Sequence, residues 1–280
     1  AGQILLKASG LVAERAVLAG SGPLLYLLAV QMVRAGTPPV ALVETQGRRD
    51  LAAAMRHLGG AALGAAMMAK GAALLAQLRH AGVPRFTGAE ALRIAGGAHA
   101  EALHFRVRGQ DRQIAAGTVF LHHGVVPNTQ IGRALDLTHD WSARQAAFLP
   151  RLDRWGRSSH PSIFVAGDGG GIIGARAAAL SGRLAALEIA RDLGALREGD
   201  RDLAARPLRL SARIETAARA FLDRAYPPFA GALCPDDDTI ICRCEELRAG
   251  TLRRHAALGC LGPNQTKAFS RAGMGPCQGR

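Results

Sequence analysis

Between Glu14 and Thr45 the apolar and polar positions fall in blocks: ERAVLAG, then SGP, then LLYLLAVQMVRAG, then TPPVALVET. Two short apolar runs flank an apolar segment of helical length, and glycines stand at the first junction. An uninterrupted short run marks a strand buried on both faces, so the block predicts a strand, turn, helix and strand of the parallel-sheet kind. Residues 51–80 are rich in Ala, Leu and Met at helical spacing, with Met67 and Met68 read as packing. Residues 85–120 break into strand-like pieces such as Leu103–Val107 and Thr118–Leu121. The pattern then recurs. SIFVAGD (162–168) predicts a second buried strand, Gly169, Gly170, Gly171 and Gly174 a turn, and ARAAALSGRLAALEIARDLG a helix closing at Gly194. From about 195 to 232 the charge density rises and Pro207, Pro227 and Pro228 appear, which predicts a helical linker to a small tail domain starting near Leu233.

Composition narrows the classes. With 280 residues, 49% of them hydrophobic and 34 of them glycine, the chain has the size of two modest domains and excludes disorder, collagen and coiled coil. A net charge of +13 brings nucleic acid and anionic membranes into view. Lysine occurs only at Lys7, Lys70 and Lys267, the arginines are scattered, and aromatics are 4%, so the clustered patch and stacking residues of a nucleic-acid binder are missing. No run reaches the length of a membrane span and no basic region with an apolar core opens the chain, so the expected setting is cytoplasmic. Cys242, Cys244, Cys260 and Cys277 crowd the tail, with Cys234 just ahead, and in a reducing compartment that crowding points to metal.

Gly20-Ser21-Gly22 follows a strand and, with Pro23, opens a helix, the context in which backbone N–H groups hold a pyrophosphate. Leu25 replaces the third glycine of the fingerprint. Glu44 ends the second strand, where an acidic side chain accepts ribose hydroxyls and repels a 2′-phosphate, which favours NAD over NADP. The alternative is a layer that keeps the turn and holds another adenine nucleotide or none. Asp168, at the carboxyl end of its strand and next to Gly167, can bond the polyol of a flavin or cap the helix beginning near Gly174.

LAGSGPLL, FLHHGVVPNTQI and SIFVAGDGGGIIGARAAALSGRLAALEIA together resemble the two-dinucleotide-fold flavoprotein reductases of the pyridine nucleotide-disulfide type. The likeness is greatest to the flavoprotein subunits of bacterial opine oxidases, hydroxyproline dehydrogenases and hydrogen cyanide synthases. The resemblance runs along nearly the whole chain. It implies FAD as cofactor, Asp168 on the ribityl chain, and the backbone at Gly174 and Ala175 facing the flavin. It places His122 and His123 near the flavin edge, where they are assigned no catalytic role. It also implies residues 1–14 as a connecting helix, 15–118 as an NAD-binding insert and 119–200 as the returning FAD domain. The FAD-binding half with its own glycine fingerprint would precede Ala1, so the resemblance implies a chain cut at its start. No cysteine occurs before Cys234, so a redox-active pair beside the flavin is not expected.

The tail segments CRCEE and GMGPCQGR resemble the small helical [2Fe–2S] domain related to bacterioferritin-associated ferredoxin. The resemblance implies Cys242, Cys244 and Cys277 as three ligands, with the fourth beyond Arg280 and Cys260 as a substitute. A structural zinc or a metal-free fold is the alternative. The expected molecule is thus an α/β protein with two Rossmann-like folds, the FAD one incomplete, plus an α-helical [2Fe–2S] tail spanning 233–280. Its expected chemistry is electron transfer between FAD and the cluster during oxidation of an amino acid, imino acid or opine. Its expected partners are a second flavoprotein subunit and a small ferredoxin-like subunit. The alternatives are an NADH-dependent flavin reductase and a cofactor-free scaffold or regulatory subunit.

Overall fold

The computed structural model describes residues 2–277 and 279, and the chain divides into two compact units, Ala1–Pro228 and Phe229–Arg280. In the first unit, α1 (Gly2–Ser9) leads into β1 (Ala16–Gly20), α2 (Pro23–Arg34) and β2 (Ala41–Glu44), which is the unit the block pattern predicts. Short helices α3 (Arg48–Ala54) and α4 (Leu58–Leu63) precede α5 (Ala65–His80) and β3 (Arg85–Thr87). An antiparallel meander, β4 (Glu90–Ala95), β5 (Ala102–Val107) and β6 (Gln110–Ala115), then leads to β7 (Thr118–His122).

The parallel sheet has the order β3-β2-β1-β7. Every residue of β1 and β2 is buried, which is why these strands read as continuous apolar runs. One sheet face packs Leu18 and Leu42 against Tyr26, Ala29 and Met32 of α2 and Leu78 of α5. The other face packs Val17, Ala19 and Val43 against Leu103, Phe105 and Val107 of the meander. β7 pairs with β1 along its whole length, so the parallel sheet extends to His122.

The remainder of the unit comprises α6 (Gln130–Ala134), the hairpin β8 (His139–Ser142) and β9 (Ala147–Pro150), α7 (Ala175–Asp192), α8 (Glu198–Thr216) and α9 (Arg219–Ala225). The strand expected at 162–168 does not form. Phe164 makes one bridge, to Arg157, and the rest of the segment is irregular and half-buried or exposed. A ladder needs a neighbour to receive its N–H and C=O groups, and no strand of the described residues lies beside this one. Within the segment 195–232, expected as a helical linker, α8 and α9 form. α8 packs on α7 through Leu184, Ala205 and Leu208 around Trp155, and Phe221 and Ala225 of α9 bury against Ala54 and Ala61, with Met68 at the margin.

The second unit contains α10 (Ala230–Leu233), the small hairpin β10 (Ile240–Cys242) and β11 (Leu247–Arg248), α11 (Ala249–Ala257) and α12 (Pro263–Ser270). No single helix among the described residues is long and apolar enough to cross a membrane.

Candidate functional site

At the end of β1 the chain must turn beneath the end of β7. Gly20 lies at φ +128°, and a Cβ there would collide with the His122 carbonyl oxygen. That same carbonyl accepts the Ser21 N–H at 2.7 Å. Gly22, at φ +121°, caps α2 without a side-chain bond, and a Cβ on it would lie 3.2 Å from the His122 ring nitrogen. Burial, reinforced by the neighbouring His123, holds the His122 pKa below the ordinary imidazole value. Pro23 occupies the first helical position and carries no N–H, and Leu25, 2% exposed, fills the place of a third glycine. Pro23 therefore withdraws one backbone donor from the turn, while Leu25 alters only the packing of helix on strand.

Glu44 stands at the predicted end of β2, but its carboxylate is turned inward and is 0% exposed. Oε1 accepts the Tyr26 hydroxyl and the Gln46 amide, the latter at 2.5 Å, while Oε2 is bridged by Arg85 through Nε at 2.9 Å and a second nitrogen at 2.7 Å. The Arg85 guanidinium also lies 5.4 Å from the centre of the Tyr26 ring. Burial first, and the Glu44 charge second, push the Tyr26 hydroxyl far above the ordinary tyrosine pKa, so Tyr26 is fixed as a donor. The sequence expectation is that Glu44 offers its oxygens to a ribose diol. Both oxygens are already satisfied from within, and a buried carboxylate so bonded has no outward lone pair to offer. Tyr26, Gln46 and Arg85 escape sequence reasoning because two of them contact Glu44 across 18 and 41 residues. The available signal was an acid inside an otherwise apolar strand, which demands a buried partner.

The second glycine cluster forms a single 3-10 turn, Gly167–Gly170, ahead of α7. Gly167, at φ +72°, donates its N–H to Ser181 at 2.8 Å, tying the turn to the helix. Asp168 is exposed, and its Oδ1 accepts the N–H groups of Ile173 at 2.9 Å and Gly174 at 3.2 Å. These bonds close the turn ahead of α7 without capping the helix itself, and the second carboxylate oxygen is left for another donor. Gly174 heads the 18-residue α7, at Ala175, with no side-chain cap and open space where a Cβ would stand. An uncapped long helix with an exposed carboxylate beside its first turn fits the hydroxyl and electron-rich ring groups of a flavin.

In the second unit the cysteine pair faces the loop that carries Cys277. Gly273 N–H points to Cys242 Sγ at 3.4 Å, and a Cβ on Gly275 would collide with Cys244. Cys277 follows two residues later and is half-buried. Cys260 lies between α11 and α12, its N–H on the His255 carbonyl at 3.1 Å. Among the described residues no three His, Cys, Asp or Glu side chains converge as a metal-ion site. Cys242, Cys244 and Cys277 would supply three of the four thiolates that a [2Fe–2S] cluster needs.

Residues 10–189 match the model of the pyridine nucleotide-disulphide oxidoreductases. The chain belongs to that family. It is 42% identical over 281 residues to an opine oxidase subunit of Rhizobium meliloti (strain 1021), an alignment covering 99% of this chain and 61% of that protein. It is 32% identical over 282 residues to the hydrogen cyanide synthase subunit HcnB of Pseudomonas protegens, covering 94% of this chain and 57% of the relative. The chain therefore spans about three-fifths of the length of these curated relatives. Among solved structures, L-proline dehydrogenase from P. horikoshii superimposes with a TM-score of 0.60 at 14% identity, over 99% of this chain and 44% of that one, a likeness of fold.

Proposed function

We propose that this member of the family is the FAD-handling part of a multi-subunit dehydrogenase or oxidase acting on an amino acid, imino acid or opine. The observation that carries the reading is the similarity to an opine oxidase subunit along 99% of this chain. Asp168 would bond the flavin's polyol through its outward oxygen, Gly167 and Gly174 would let the backbone approach, and the first turn at Ala175 would place the helix dipole toward the ring. A bound flavin supplies two-electron acceptance with one-electron release. This chain's residues bind, orient and shield it, and no side-chain nucleophile is required. The substrate-oxidising site belongs to a partner flavoprotein subunit, with a small ferredoxin-like subunit completing the assembly.

We further propose that the tail is a [2Fe–2S] module using Cys242, Cys244 and Cys277, supported by the seating of the Gly273–Gly275 loop on the first two cysteines. Iron and acid-labile sulfide in equal amounts support this assignment, and zinc without sulfide removes it. The internal bonding of Glu44 counts against the NADH-reductase reading, since it withdraws the ribose acceptor.

The test is anaerobic. The complex captured through a tag on this chain is expected to be yellow and to bleach on addition of octopine, hydroxyproline, proline or glycine but not NADH. A colourless complex, or one bleached by NADH alone, overturns the proposal.

A further inference from the structure

The outer edge of β3 and the β5–β6 turn enclose a cleft of about 370 Å³ lined by Arg85, Phe86, Thr87, Arg108, Gln110 and Arg112 among others. In the order β3-β2-β1-β7 it lies two strands from the glycine turn, about 10 Å at ordinary strand spacing, and is a separate feature. Three guanidinium groups meet there without a carboxylate in the lining. Arg85 is committed to Glu44. Asp111 is bound by Arg106 on the opposite face of the hairpin, and Glu90 is paired in register with Arg106 on that side. Among the described residues Arg112 bonds only the Gln110 side chain, at 3.3 Å, and lies 5.5 Å from the centre of the Phe86 ring, while the Arg108 side chain has no hydrogen-bond or ion-pair partner.

The turn itself carries the second observation. Arg108 and Gly109 both have positive φ, +53° and +76°, the two-residue hairpin geometry that Asn-Gly adopts without strain. An arginine at the first position is conformationally costly, and its side chain is aimed at no internal partner. Its unbalanced charge, in the same lining as Arg112 and the Phe86 ring on which Arg112 lies, suits a ligand with concentrated negative charge.

We propose that this cleft is an anion site for a phosphate-bearing small molecule, with Arg108 and Arg112 as the forked donors, Thr87 and Gln110 as polar supplements, and Phe86 as the apolar wall. A phosphate dianion presents three terminal oxygens and two negative charges to a pair of guanidinium forks, where a monocarboxylate presents two oxygens and one charge. The cleft exceeds a bare phosphate in size, so inorganic and organic phosphates are tested separately. The proposal is independent of the flavin reading.

Calorimetric titration of the protein with inorganic pyrophosphate, and in a second arm with ribose 5-phosphate, decides it. Binding in either arm is expected to weaken about tenfold in Arg108→Asn and again in Arg112→Gln, the loss of one charge-assisted hydrogen bond each. Arg108→Asn suits the left-handed turn, so its melting temperature should hold or rise while affinity falls. Arg206→Ala, an exposed arginine on α8, is the control and should bind as the parent does. Pyrophosphate binding alone assigns an inorganic polyanion, and tighter ribose 5-phosphate binding assigns an organic phosphate. The site is overturned by no binding in either arm, by full binding in the double variant, or by an equal loss in Arg206→Ala.

Discussion

Glu44 has no access to water and is held by three side chains from three places in the chain. Removing one donor from such a network leaves a buried charge short of a bond, which costs more than the bond's net worth. Tyr26→Phe is therefore expected to lower unfolding free energy by about 1–3 kcal/mol in urea titrations, and an unchanged midpoint would sink the account. Glu188 presents the same chemistry with a pH signature. It is 3% exposed and contacts Arg157, Arg191 and Arg201. Its desolvation raises the pKa, but the three guanidinium bonds outweigh that effect and lower it from 4.5 to about 2. A carboxylate with a depressed folded-state pKa contributes stability that is complete above 4.5 and is lost as pH falls toward 2. Stability measured from pH 6 down to about 2 should fall by on the order of 3 kcal/mol more in the parent than in Glu188→Gln. Parallel curves for the two proteins would remove the role given to Glu188.

Among the elements, α7 and α8 depend on a side chain from outside both. Trp155 is 4% exposed, with Arg201 and Arg209 at 4.5 and 4.1 Å from its ring, and it fills the cluster with Leu184, Ala205 and Leu208. Trp155→Ala should cost about 3–5 kcal/mol and release α8 to hydrogen exchange before α2, which exchange mass spectrometry resolves. This region also marks where sequence stops informing. β1, α2 and β2 were legible because burial on both faces leaves an apolar run that local pattern alone reveals. The segment 162–168 carries the same run, yet none of its residues is buried here, and a strand additionally needs a neighbour for its ladder. α8 reads as linker because its charges dominate the composition, whereas Arg201 is buried by Trp155 and Glu188. At the site, the glycines and Asp168 were legible from their turn chemistry. The fate of the Glu44 carboxylate was not, because its partners arrive only when the sheet and α2 come together.

At the scale of the molecule, 35 basic residues against 22 acidic ones leave a self-repelling surface. Many arginines are paired locally, as Arg157, Arg191 and Arg201 are around Glu188, but others, including Arg108 and Arg112, are not balanced by a carboxylate. Raising sodium chloride from about 10 mM to about 150 mM shortens the screening length and should raise the melting temperature by a few degrees. A flat or falling response in differential scanning calorimetry would show that attraction between opposite charges outweighs the excess. The close parallel pairing of β7 with the end of β1 carries a different consequence. Because the backbone oxygen of His122 occupies the volume that any larger side chain at position 20 would need, a saturation library selected only for folding would retain glycine there. Retention at that position reports the clearance between two chain segments, and occupancy by a nucleotide has to be measured by other means.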